Sequence, residues 1–272
     1  LQAFLDVLAL NYGAGMTLLD FGAAPEAGRL TINDWVAEQT EDRILDLLPP
    51  GSITTMTRLV LTNAVYFNAS WRDPFEEDLT QDGTFNTPSG AVTVPMMRQT
   101  NTFGYTEGAG YQAVEIPYDG EELSMVILVP EAGSFATVES SLDGAFVEGL
   151  VSSLVSTRVA LKMPRFSFTM GFSVKEMLQA LGMTAAFGGE ADFSGMANTN
   201  ELFISDVIHK AFVAVDEAGT EAAAATAVIM EGTSVQPDPV AVTMDRPFIF
   251  FIRDIETGAV VFVGRVVDPS AE

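Results

Sequence analysis

The chain has 272 residues, 48% of them hydrophobic, enough for the core of one large domain or two small ones, and a formal net charge of −24. The absence of cysteine excludes disulfides, thiol nucleophiles and thiolate metal sites, and the single histidine, His209, excludes a histidine-rich zinc site, so we expect neither metal nor cofactor. The acidic surface makes nucleic acid and anionic membranes poor partners, and no segment approaches the roughly 20 apolar residues of a membrane span.

The first half of the chain predicts helices and strands in irregular alternation. In chain order the patterns indicate a helix at 1–12, a strand at 16–21, a helix at 32–40, a strand at 57–68, and strands at 91–98, 111–118 and 123–130. Residues 57–68 are β-rich and almost continuously apolar, which is typical of a strand buried on both faces.

The second half continues in the same mixed fashion. Its patterns indicate one or two helices within 134–154, a strand at 158–169, a helix at 172–182, a strand at 202–216, and strands at 240–252 and 259–267. Because helices and strands mix without βαβ regularity, we expect an α+β fold with large, mostly antiparallel sheets.

Residues 217–226 form the most informative tract, because they combine a glycine pivot with small side chains. The tract comprises Glu217, Ala218, Gly219, Thr220, Glu221, Ala222, Ala223, Ala224, Ala225 and Thr226. If it were extended, Thr220, Ala222, Ala224 and Thr226 would share an uncharged face, and Glu221 would lie on the other. Small side chains would allow such a strand to enter the middle of an existing sheet, with Gly219 as the hinge.

Several motifs, in this order, resemble those of the serpin family, in a prokaryotic-type form, over nearly the whole chain. They are Ile32-Asn33-Asp34-Trp35-Val36 with Thr40 and Ile44, Leu61-Thr62-Asn63-Ala64-Val65-Tyr66-Phe67 with Trp71, Val94-Pro95-Met96-Met97, Met163-Pro164-Arg165-Phe166, the tract 217–226, and Val242-Thr243-Met244-Asp245-Arg246-Pro247-Phe248-Ile249-Phe250-Phe251-Ile252. The tract and the last motif together are highly specific, whereas each of the others alone would be weak.

The resemblance implies a serpin fold with three β-sheets, the largest of which accepts a reactive loop, surrounded by helices. It also implies that roughly the first 100 residues of the family, with their N-terminal helices, are absent from this chain. Residues 1–272 are then a single serpin domain, and the reactive loop covers about 217–240. Residues 217–226 are its hinge.

The family acts as a suicide substrate rather than an enzyme, so no catalytic residues are expected. A protease cleaves the loop, and the loop then inserts into the main sheet while the acyl-enzyme is trapped in a 1:1 covalent complex. Counting from Gly219 by the family's spacing favours cleavage at Thr233–Ser234, about 46 Å of extended strand beyond Gly219. Gly232–Thr233 and Met230–Glu231 remain open as alternatives.

The loop composition indicates the class of target. No lysine or arginine occurs between Glu221 and Asp245, so a trypsin-like enzyme is disfavoured. Val228, Ile229 and Met230 favour an elastase-, chymotrypsin- or subtilisin-like serine endopeptidase, or a papain-like cysteine endopeptidase. By resemblance the protein is extracellular and monomeric.

The resemblance also implies two groups of residues that control insertion. Asn63 and His209 match the shutter, a hydrogen-bonded pair across the strands that must part, and losing a buried partner there would loosen the sheet. Trp71, Arg165 and Glu217 match the breach, a packed tryptophan beside an ion pair. The alternatives are a satisfied core histidine and a weak surface ion pair.

Two other functions are possible interpretations of the same sequence. One is a serpin-fold binding or storage protein that does not inhibit, although the small residues of the hinge favour insertion. The other is a hydrolase that uses His209, but the chain has no Gly-x-Ser-x-Gly motif, and His209 lies in an apolar strand pattern.

Overall fold

The computed structural model describes residues 2–12, 16–196, 202–221 and 238–271. Within these ranges the helices are α1 (Gln2–Tyr12), α2 (Pro25–Gln39), α3 (Phe135–Ser140), α4 (Gly144–Ser152) and α5 (Lys175–Ala180). The strands are β1 (Leu61–Tyr66), β2 (Ala69–Ser70), β3 (Gln81–Thr87), β4 (Gly90–Gly108), β5 (Tyr111–Pro117), β6 (Leu123–Pro130), β7 (Val155–Pro164), β8 (Phe166–Ser173), β9 (Val207–Val215), β10 (Gly219–Thr220), β11 (Val240–Thr243), β12 (Phe248–Asp254) and β13 (Val260–Val266). Short 3-10 helices cover Glu77–Leu79 and Ala185–Phe187.

The chain divides into two compact units. The first comprises Leu1–Tyr66 with Thr169–Phe212, and the second comprises Phe67–Phe168 with Val213–Glu272. Each unit is therefore built from two stretches of sequence, so neither can be complete until both of its stretches have been made.

In the first unit, β1 runs parallel to the start of β9, and α2 supplies part of the core. Val36 of α2 packs in a buried cluster with Ile44 and Leu47. The Asn33 side chain accepts a hydrogen bond from the Leu48 backbone N–H at 2.8 Å and donates one to the Leu48 carbonyl at 3.0 Å. This pair of bonds fixes the segment that follows α2 against the helix, because both polar groups of the buried asparagine amide are satisfied.

The second unit contains an eight-stranded sheet in the order β11-β7-β4-β5-β6-β12-β13, with β3 also paired to β4. Every residue of β12 except Asp254 is buried, and so is every residue of β6 except Leu123. These two neighbouring strands therefore form the centre of the core, as their almost continuous apolar sequences require.

The α+β class predicted from the sequence is confirmed. In the second unit the 19 residues of β4 pair first with β3 and then with β5, and this pairing makes its eight strands one continuous hydrogen-bonded sheet.

Several local predictions were wrong. Residues 16–21 form no strand, since the Asp20 side chain instead accepts a hydrogen bond from the Ala23 backbone N–H at 2.9 Å and begins a turn. The predicted strand at 57–68 shortens to β1, in which no residue is fully buried. The predicted strand at 158–169 is two strands, β7 and β8, because strand pairing is interrupted at Arg165, and the predicted strand at 240–252 is two strands, β11 and β12. The extent of the domain stays a prediction.

Candidate functional site

The predicted hinge begins with a tight reversal after β9. The Asp216 backbone N–H donates to the Gly219 carbonyl at 3.0 Å, and the Asp216 carboxylate accepts from the backbone N–H groups of Ala218 at 2.8 Å and Gly219 at 3.2 Å. An aspartate that bonds its own following backbone in this way stabilises a turn. The turn brings β10 back alongside the end of β9.

The first two residues after the turn are already paired as a strand. Thr220 lies opposite Val215 of β9 and opposite Ala69 of β2, and Gly219 lies opposite Ser70. The Thr220 side chain is fully buried, and its hydroxyl forms a hydrogen bond of 2.7 Å with the Tyr118 hydroxyl. Burial raises the pKa of Tyr118 despite this bond, so the phenol stays protonated and able to donate.

Glu221 ends this short strand. Its backbone N–H still donates to the Ala214 carbonyl at 3.0 Å, but its φ of 57° is left-handed, a region that glutamate rarely adopts. The remaining hinge residues, Ala222 to Thr226, lie outside the described residues, as does the predicted reactive bond Thr233–Ser234.

Trp71 lies against the turn. Its indole N–H donates to the Asp216 carbonyl at 3.0 Å, and its backbone N–H donates to the Ala218 carbonyl at 2.9 Å. The ring is 1% exposed and stacks on Tyr118, with ring centroids 4.6 Å apart and planes 11° apart. One buried tryptophan therefore contacts both sides of the hinge reversal.

Glu217 and Arg165 form the predicted ion pair. The Arg165 Nε lies 2.8 and 2.7 Å from the two Glu217 carboxylate oxygens, and the Thr80 hydroxyl donates to one of these oxygens. Glu217 is 4% exposed, whereas the Arg165 side chain is 43% exposed. Burial acts to raise the pKa of Glu217, but the hydrogen bonds from Arg165 and Thr80 outweigh burial, so the pKa is lowered and the carboxylate stays charged.

Asn63 and His209 also meet. They lie directly opposite each other in the parallel β1–β9 pair, and the Asn63 side-chain oxygen is 2.7 Å from His209 Nδ1. Because an amide oxygen can only accept, Nδ1 carries the proton of this bond. Asn63 is exposed, however, so the buried pair expected from the sequence is, within the described residues, a solvent-accessible one.

Three residues of the site were not predicted: Thr80, Tyr118 and Asp216. Asp216 could have been found, since aspartate three residues before glycine is a common turn pattern. Thr80 and Tyr118 come from distant segments, and only the tertiary fold brings them to Glu217 and Thr220. Among the described residues no group of three or more acidic or histidine side chains is placed to hold a metal ion. No helix in that part of the chain is both long and apolar enough to cross a membrane.

The fold is that of known structures. A solved complex of thyroxine-binding globulin with thyroxine matches 100% of this chain with a TM-score of 0.88 and 27% sequence identity, and the match covers 72% of that protein. The sequence also matches a protein-family model described as "Serpin (serine protease inhibitor)" over residues 1–269. The chain therefore belongs to the serpin family.

Curated relatives agree with this assignment. A serpin-like protein of Thermococcus kodakarensis, itself uncharacterised, is 43% identical over 98% of this chain, and mouse antithrombin-III is 38% identical over 98%. Human leukocyte elastase inhibitor is 39% identical over 99% of the chain and is covered to 74% of its length. The chain spans 63% of the length of the Thermococcus relative and 59% of mouse antithrombin-III.

Proposed function

We propose that this protein is a suicide-substrate inhibitor of serine endopeptidases and not an enzyme. The observation that carries the proposal is the strand pairing of β10: Gly219 and Thr220 pair with β2, and Thr220 also pairs with the end of β9. The small-residue tract 222–226 follows directly in the sequence, so continued pairing would add a strand at this position. Relatives named as inhibitors support the same activity.

The proposed target is an elastase-, chymotrypsin- or subtilisin-like enzyme, or a papain-like cysteine endopeptidase, bound in a 1:1 covalent complex. The lack of lysine and arginine between Glu221 and Asp245 supports this choice over a trypsin-like enzyme. The name of the human leukocyte elastase inhibitor supports an elastase-like target. We place cleavage at Thr233–Ser234 and the protein outside the cell as a monomer.

The test is incubation of the natural protein with elastase, chymotrypsin, subtilisin and papain, and with trypsin as the disfavoured enzyme. We expect an SDS-resistant adduct with at least one of the first four, and a released C-terminal peptide that begins at Ser234 by mass spectrometry. A peptide that begins at Thr233 or Glu231 would instead assign the reactive bond to Gly232–Thr233 or Met230–Glu231. Cleavage without any adduct would contradict inhibition.

A change at Trp71 can follow insertion directly. Residues 1–272 contain two tryptophans, and Trp35 is 56% exposed, so Trp35→Phe removes the exposed one and keeps the buried Trp71 beside the hinge as the reporter. We expect its emission to change when the loop is cut, because insertion would alter the Asp216 and Ala218 contacts. Trp71→Phe, which removes the reporter, should show no such change.

The second candidate function is small-molecule binding without inhibition. A groove of about 700 Å³ in the second unit is lined by α4 residues, including Val147 and Val151, and by Phe251 and Val263 of β12 and β13. Pockets of this volume and apolar lining commonly hold small ligands, and one solved structural neighbour is described as a thyroxine complex. Binding of an apolar fluorescent probe that Val263→Asp abolishes, together with no adduct in the protease panel, would favour this function.

A further inference from the structure

Most cations of this acidic chain have a partner. All 13 lysines and arginines lie in the described ranges. The arginines in ion pairs with Asp or Glu are Arg29, Arg72, Arg165, Arg246, Arg253 and Arg265. Those that donate to backbone carbonyls include Arg58, Lys175 and Lys210. Arg43 and Arg158 also have interactions of their own.

Arg98 and Lys162 are the remaining two. Among the described residues neither side chain has a hydrogen-bond or ion-pair partner, and the Arg98 Nε is buried without one. A buried donor with no partner costs free energy, and native structures rarely keep one without a reason.

These two cations also lie directly opposite each other. β4 and β7 are antiparallel, and Arg98 is in register with Lys162, so both side chains stand on the same face of the sheet. Like charges opposite each other on neighbouring strands destabilise a sheet. In a chain with 37 acidic residues, this placement leaves both cations available to an outside carboxylate.

The surroundings leave room for such a group. Two residues farther along the two strands, Thr100 lies opposite Ala160, and on the next strand Thr243 of β11 lies opposite Lys162. These neighbours are small, and Thr100 and Lys162 are exposed. Lys162 therefore stands on an open sheet surface beside the half-buried Arg98, which suits a protein side chain better than an enclosed small molecule.

The surface adjoins the end of the reactive loop. β11 begins at Val240, opposite Val159 of β7, and the predicted bond Thr233–Ser234 lies six residues earlier. Six residues can span at most about 20 Å. A protease domain of about 220 residues has a radius of gyration of about 17 Å, so an enzyme on that bond can reach β7.

We propose that Arg98 and Lys162 form a docking site for an acidic side chain on the surface of the endopeptidase that engages the reactive loop. The proposal rests on the proposed function, because it assigns the enzyme its orientation on this chain. A carboxylate between the two cations would bond the accessible part of the Arg98 side chain and the Lys162 ammonium, and it would relieve the repulsion between them. Such charge pairs at the rim of an interface mainly set the association rate and the choice of partner.

The experiment compares the natural protein with R98Q/K162Q and with R265Q. Arg265 is the matched control, because it is an exposed arginine on β13, the opposite edge of the same sheet, paired with Glu139. Association rate constants are measured at low and high salt with two forms of each protease, the active enzyme and its variant with the catalytic nucleophile replaced by alanine. The alanine form reports docking without trapping.

We expect R98Q/K162Q to lower the association rate constant about tenfold at low salt for at least one protease, and to make that rate constant less dependent on salt. R265Q should associate as fast as the natural protein. The thermal midpoint of the double variant should be unchanged or higher, since a repulsive pair is removed. If that variant fails to fold, K162Q alone, at an exposed position, replaces it. Equal rates for all variants and all proteases would overturn the docking site.

The two proposals can fail separately. Adducts formed at unchanged rates by the double variant would leave inhibition intact and reject the docking site. Absence of adducts from the natural protein would reject inhibition. Binding of the alanine enzymes would then test the docking site by itself. Weaker binding to the double variant than to the natural protein would support the site, and equal or absent binding would reject it.

Discussion

Glu217 shows how much a single buried charge can depend on its neighbours. The carboxylate is almost fully enclosed, and its hydrogen bonds come from Arg165 and Thr80. Because Arg165 reaches solvent, its own charge stays hydrated if Glu217 is lost. Glu217 therefore depends on Arg165 more than Arg165 depends on Glu217, and the ion pair mainly stabilises the turn at the start of the hinge.

We predict that Glu217→Gln lowers the free energy of unfolding by about 1–3 kcal/mol, since a charged acceptor is replaced by a neutral amide. Glu139→Gln is the matched control, because Glu139 pairs with the exposed Arg265, and such surface pairs contribute little. Denaturant unfolding of both variants measures the difference. Equal losses would show that burial of Glu217 is irrelevant.

The same pair gives a pH dependence. The pKa of Glu217 in the folded protein lies below its ordinary value of 4.5, so its contribution to stability is complete above pH 4.5 and is lost as the pH falls through the lower folded value. We expect the stability gap between the natural protein and Glu217→Gln to shrink over that acidic range. Unfolding titrations between pH 7 and 3 test this, and a gap that grows in acid would contradict it.

Asn63 should matter less than a buried asparagine. Its hydrogen bond to His209 is short, but the side chain is exposed and can bond water instead. We predict a loss of about 1 kcal/mol or less for Asn63→Ala, with faster amide hydrogen exchange confined to β1 and β9. Asn86→Ala removes a comparable exposed side-chain bond, to the Asp245 carbonyl, and should leave β1 exchange unchanged.

At the scale of elements, β10 has only two residues, and one of them, Thr220, tolerates little change of side chain. Thr220 is fully buried between two neighbouring strands, and its hydroxyl is bonded to Tyr118. A large charged side chain at this position would have to lose its hydration without any partner.

We predict that Thr220→Arg turns the protein from an inhibitor into a substrate: the protease cuts the loop, but no SDS-resistant adduct accumulates. Thr220→Ser keeps the hydroxyl and should still form the adduct. Gel assays with the same protease measure both. Equal adduct yields from the arginine and serine variants would show that the side chain at position 220 does not affect insertion.

Sequence reasoning found elements whose pattern was local. The prediction of one or two helices within 134–154 rests on short-range signals, and the structure has two, α3 and α4. Residues 16–21 also alternate, yet no described strand pairs with them, so the alternating pattern alone gave a wrong prediction. In the site, the motifs located Trp71, Arg165 and Glu217, but Thr80 is fixed by tertiary contacts that no local pattern encodes.

At the scale of the whole molecule, the proposed function requires a native state that is not the most stable arrangement of the cut chain. The hinge already has two residues in the sheet, so insertion would extend existing pairing instead of starting a new strand. The free energy released then depends on residues beyond Glu221.

We predict that cleavage near Thr233 raises the thermal midpoint by at least about 10 °C, or roughly 2.5–5 kcal/mol at the usual 2–4 °C per kcal/mol. Scanning calorimetry of intact and cleaved protein measures the change. Cleaved Thr220→Arg is the control and should gain little. A natural protein that melts at the same temperature before and after cleavage would contradict insertion.

The position of β12 has a consequence for synthesis in the cell. β6 pairs with β12, so Leu128 meets Ile249, and both strands are buried at the centre of their sheet. At roughly 5–20 residues per second, the ribosome needs some 6–24 s to make the intervening stretch of about 120 residues. During that interval the edge of β6 that pairs with β12 stays unpaired and apolar, so we expect the nascent chain to bind chaperones until β12 has been made.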